Sequence, residues 1–85
     1  MLHAHLSTTY SAEAEEAGAP ASWPLREKIR FLLDGEMKIY HLVHHPEGYR
    51  VEFVGSDFYH IMPFCKTAEE AYIEALHFCR NNSEV

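Results

Sequence analysis

Residues 37–64 read MKIYHLVHHPEGYRVEFVGSDFYHIMPF. Met37 to His45 and Tyr49 to Val54 are rich in β-branched and aromatic residues, and Pro46-Glu47-Gly48 between them signals a turn, so the stretch predicts a hairpin. A three-residue loop sets His45 across from Tyr49, Val43 across from Val51 and His41 across from Phe53. Gly55-Ser56 suits a tight turn with glycine first, which returns Phe58 to Phe64 as a third strand. In that register Ile39, His41, Val43, Tyr49, Val51, Phe53, Phe58 and Met62 form one face, expected to be the core. Lys38, Tyr40, Leu42, His44, Arg50, Glu52, Val54, Tyr59 and Ile61 form the other.

Downstream, Thr67-Ala68-Glu69-Glu70 has the spacing of a capping box, in which Thr and Glu satisfy each other's free backbone donors. Ala68, Ala71, Tyr72, Ala75, Leu76 and Cys79 then recur at helical spacing as one apolar stripe, with Asn81-Asn82 as the stop. The expected fold is α+β: a three-stranded antiparallel β-meander with a C-terminal α-helix on one face. Upstream, Leu25, Ile29, Leu32 and Leu33 favour a short preceding helix, with Ser22 as cap and Pro24 in the first turn. A strand through Ile29, Phe31 and Leu33, turning at Asp34-Gly35, is the alternative. Residues 1–23 hold few large apolar side chains and an Ala/Glu run, and are expected as a flexible acidic N-terminal segment ahead of one small domain, 24–85. A short helix from Ser11 through Ala17 is the other reading of that run.

A chain of 85 residues has room for one domain and buries roughly 60% of its unfolded surface. Its net charge of −6 disfavours a bulk electrostatic grip on nucleic acid or on an anionic membrane. Two cysteines, Cys65 and Cys79, do not make a secreted-type disulfide framework, and the start of the chain lacks a signal-peptide pattern. No stretch approaches the roughly 20 apolar residues that span a bilayer, so the expectation is a cytoplasmic protein.

No glycine-rich phosphate loop, nucleophile elbow or HExxH is present, and no enzyme, cofactor or metal is expected. His41 and His45 share a strand face but lie roughly 13 Å apart along it. A site drawing on His60, Cys65 and His77 lacks any locally chelating pair. Cys65 near a helix N-terminus is the one thiol placed for activation, whereas Cys79 on the apolar stripe reads as core. The second sheet face is more apolar than a solvated antiparallel face needs to be. Either residues 24–33 or a second copy of the chain covers it, or another macromolecule docks there through Lys38, Tyr40, His44, Arg50, Tyr59 and Ile61.

Gly48-Tyr49-Arg50-Val51-Glu52-Phe53, followed by a third strand and Lys66-Thr67-Ala68-Glu69-Glu70-Ala71, resembles the HicB-type antitoxin domain, with its "GY-x-VEF" strand and "T-x-EEA" helix. It also resembles the three-strand-plus-helix Arm-type DNA-binding domain of tyrosine integrases. Both resemblances span residues 37–80. The first implies an acidic partner that neutralises a toxic ribonuclease, and the second implies sheet residues entering the DNA major groove. The favoured expectation is a small non-enzymatic regulatory or inhibitory protein that binds another protein. Nucleic-acid binding through Lys38, Tyr40, His44, Arg50 and Tyr59 is the alternative, and a Cys/His metal or thiol site is the third.

Overall fold

The computed structural model describes residues 2–36 and 38–81, with side chains from Ser7 onward. Three helices and three strands follow in the order α1 (Leu2–Glu16), α2 (Leu25–Asp34), β1 (Tyr40–His45), β2 (Gly48–Val54), β3 (Tyr59–Ile61) and α3 (Ala68–Asn81). The strands form an antiparallel sheet in the order β1-β2-β3, which is the α+β meander. Met37, expected to open the first strand, and Asn82, expected in the helix stop, lie outside the described residues.

α3 starts where its sequence says it should. Thr67 Oγ1 accepts the Glu70 N–H at 3.1 Å, and Glu70 Oε1 accepts the Thr67 N–H at 3.2 Å, closing the capping box. Ala68, Ala71, Tyr72, Ile73, Ala75, Leu76 and Cys79 are all buried, which is more than one face of a helix. The reason is layering: α3 lies between the sheet and the other two helices, α1 and α2. α2 forms as the helical reading expects, but Ser22 does not cap it; Pro24 occupies the N-cap position, and its carbonyl accepts the Glu27 and Lys28 N–H groups.

The N-terminal segment differs from the expected tail. Leu2–Glu16 is helical, and Tyr10 and Ala14 are buried in the core. Gly18, at φ +120°, ends the helix: its N–H bonds Glu15 O and the Ala19 N–H reaches Ala14 O at 2.9 Å, while Ala14 and Ala19 are both buried. Charged contacts supplement that small apolar seam. Buried Lys28 donates to Glu15 Oε2 at 2.6 Å and to Ser11 Oγ, and Arg80 grips Glu13 with two bonds of 2.7 and 2.6 Å. The Arg80 bond holds the Glu13 carboxyl below its ordinary pKa.

The β1–β2 register is one residue away from expectation. Tyr40 faces Phe53, Leu42 faces Val51 and His45 faces Gly48, so Pro46-Glu47 alone is the loop. A one-residue slip turns every side chain of a strand to the opposite face. Tyr40, Leu42 and His44 therefore share the helix side with Tyr49, Val51 and Phe53, while Ile39, His41, Val43 and His45 face away from the helices. One contact within the turn and one from beyond the third strand fix the choice. Glu47 N–H donates to His45 Nδ1 at 3.2 Å within the turn, and Gly48 enters the ladder at φ +139°, pressed against the Cys65 carbonyl. β3 keeps its expected alternation but sits two residues from its expected register. Gly55 bonds Phe58 around Ser56-Asp57, and Phe53 faces His60, not Phe58. Phe58, expected in the core, is therefore exposed at the turn, while His60 and Met62 lie on the helix side and Tyr59 and Ile61 on the other.

Candidate functional site

The helix side of the sheet is closed over its centre. Phe53 is fully buried, with Phe78 at 5.6 Å and Tyr40 at 6.5 Å between ring centroids, and His60 stacks on Phe78 at 4.2 Å. Tyr40 also packs edge-on against Tyr72 and donates its hydroxyl to Asp34 Oδ1 at 2.5 Å. Burial first, then the bond to Asp34, pushes the Tyr40 phenol up to about 12. This residue acts as an anchor between β1 and α2 rather than as part of an open surface. His44 stays exposed but lies on the same side, its ring stacked on Tyr49 at 4.3 Å. The grouping of Tyr40 and His44 with Arg50, Tyr59 and Ile61 is thus corrected by the register. Lys38 is exposed just ahead of β1, beside a cleft between β1 and α2.

The opposite face is the candidate site. None of the helices covers it; the expectation that residues 24–33 pack there gives way to α2 lying on α3. Pairing aligns Ile39, Val54 and Tyr59 across the three strands, then His41, Glu52 and Ile61 in the next row. Ile39, Tyr59 and Ile61 are all exposed, so the rows form an apolar border at one end of the face.

The other end is built by a bulge. Met62 donates to Val51 O, yet Tyr49 bridges Cys65, so Pro63 and Phe64 stand opposite the single residue Arg50. Such an extra residue re-aims a side chain. Phe64 lands under the Arg50 guanidinium, 4.5 Å from Cζ to the ring centroid, with His45 stacked 5.1 Å away. Arg50 also bonds Glu52 at 3.0 Å, and Tyr59 reaches the other oxygen of Glu52 at 3.5 Å. Arg50, Glu52, Val54, Tyr59 and Ile61 therefore share this face as the sequence places them, and Ile39, His45 and Phe64 join them. Proline within a strand pattern, at Pro63, is the signal that could have revealed the bulge and hence Phe64.

Other chemistry finds little support in the geometry. Among the described residues no three His, Cys, Asp or Glu side chains gather to hold a metal ion. His60 is stacked in the sheet–helix seam, and His77 hydrogen-bonds Asn81. Partial burial raises the Cys65 thiol, and the charges of Glu74 and Glu70 raise it further, the reverse of activation by a helix terminus. Buried Cys79 is raised by burial as well. Among the described residues, no helix is long and apolar enough to cross a membrane. No protein-family model, curated protein or solved structure matches the chain.

Proposed function

We propose that this chain is a small, non-enzymatic accessory protein of the cytoplasm that binds and modulates another protein through the open face of its sheet. One observation carries the reading. All three helices stack on one side, while Ile39, Tyr59 and Ile61 stand 68%, 62% and 40% exposed on the other, around Val54. A contiguous apolar border beside a charged aromatic cluster has the make-up of a protein-binding surface. Tyr59 and Arg50 are residue types that concentrate binding energy at such surfaces. The HicB-type resemblance accords with this reading, since it too implies a protein partner. Nucleic-acid binding is the weaker alternative, because Arg50, the sole lysine or arginine among the strand residues of this face, is already paired with Glu52.

Placing carboxylates within the apolar border tests the proposal. Ile39→Glu combined with Ile61→Glu is expected to stay folded with a melting temperature only slightly below wild type, both positions being exposed and the carboxylate at position 61 facing Glu52, which is paired with Arg50. It is also expected to lose a partner that wild-type protein, and an Ala12→Glu control on α1, both recover by affinity capture. Identical recovery by all three proteins contradicts docking on this face.

A further inference from the structure

The two edges of the sheet are built differently. β3 is three residues long and is followed by Pro63 and the bulge, features that blunt an edge against further pairing. β1 runs six residues without proline, lysine or bulge. Ile39 O accepts the Val54 N–H, so by alternation His41, Val43 and His45 make the ladder bonds to β2. The backbone N–H and C=O groups of Tyr40, Leu42 and His44 therefore point away from the sheet, and among the described residues none of them meets a partner. Under this edge lies a cleft of about 500 Å³ lined by Arg30, Asp34, Lys38, Tyr40, Leu42 and Tyr72.

We propose that β1 pairs antiparallel with β1 of a second copy, joining two sheets into one of six strands. Unpaired ladder groups call for an extended backbone, and the chain's own β1 supplies one of matching length with the same outward residues. With Leu42 opposite Leu42, Tyr40 of each copy meets His44 of the other, and every outward group in the three residues is used. The incoming Leu42 and His44 then lie on the cleft side. On the opposite side, exposed Ile39 faces His45 of the second copy.

Charge is complementary along this line. The chain carries −6, yet Tyr40–His45 contains no acidic residue. The register also brings Lys38 beside the Pro46-Glu47 turn of the second copy, twice across the two-fold axis. This pairing uses the edge and, apart from Ile39 beside His45 of the second copy, leaves the open face free on both copies. Its readout is confined to the β1 amides, so its failure is distinguishable from failure of the docking reading.

Analytical ultracentrifugation over a wide concentration range, with residue-resolved amide exchange at each end of it, tests the proposal. A monomer–dimer equilibrium is expected, with the Tyr40, Leu42 and His44 amides becoming protected as the dimer forms. His44→Pro removes an outward N–H and leaves the bonds of His41, Val43 and His45 to β2 in place. It is expected to raise the dissociation constant roughly 10- to 100-fold, since two hydrogen bonds are lost per dimer. A wild-type protein that stays monomeric overturns the proposal. So does a dimer whose three amides exchange freely, or protection that does not depend on concentration.

Discussion

Phe53→Ala is expected to remove about 3–5 kcal/mol of folding stability, the usual loss when a buried phenylalanine is truncated. Phe53 is fully buried at the centre of the middle strand, paired with Tyr40 on β1 and His60 on β3. Its ring meets Phe78 of α3 and Tyr40, so truncation opens a cavity at the seam between sheet and helix. Small domains hold only about 5–15 kcal/mol in total, so the variant should sit close to its unfolding transition. Urea denaturation measures this as a large fall in midpoint. Phe64→Ala is the matching control, because that ring lies half-buried on the open face against Arg50 and His45. Its midpoint should fall far less. Equal losses at the two positions would mean that the two faces have been assigned wrongly.

Gly48→Ala is the second large effect expected, about 3 kcal/mol or more. Two penalties combine at this position. The backbone sits at φ +139°, where an L side chain is strained by about 1–3 kcal/mol. In addition, a Cβ would overlap the backbone carbonyl oxygen of Cys65, which has no flexible end to swing aside. Relief of that overlap pulls Cys65 off Tyr49, whose two mutual hydrogen bonds of 2.8 and 2.7 Å tie the chain beyond the bulge to β2. Gly55→Ala provides the comparison: a Cβ there meets Phe58 at an ordinary 3.5 Å with no positive φ. Thermal or urea unfolding should separate the two glycines clearly. A mild effect at Gly48 would mean that the hairpin turn is not built as described.

Elements governed by local chemistry were legible in the sequence. The capping box of Thr67 and Glu70 and the apolar stripe of α3 depend on residues a few positions apart, and both form as read. The same holds for the spacing of Leu25, Ile29, Leu32 and Leu33 in α2, and for the alternation from β2 to β3 that puts Arg50, Tyr59 and Ile61 on one face. What was not legible depends on distant contacts. Pro46-Glu47-Gly48 suits a loop of three residues or of two, and the decision involves Gly48 meeting Cys65, which lies beyond the third strand. That single slip moved Tyr40 and His44 off the candidate surface and moved Ile39 onto it. α1 is legible only as the second alternative, and only from Ser11 through Ala17, for a similar reason: its Ala/Glu composition is held by burial of Tyr10 and Ala14 and by Lys28 and Arg80, which arrive from other helices.

The β1–β2 register decides which residues the open face presents. Cross-strand nuclear Overhauser contacts between α-protons test it directly, since non-hydrogen-bonded antiparallel pairs bring their Cα atoms closest. Strong contacts between Leu42 and Val51 and between Tyr40 and Phe53 are predicted. Contacts between Val43 and Val51 and between His41 and Phe53 in their place would return Tyr40 and His44 to the open face and refute this register.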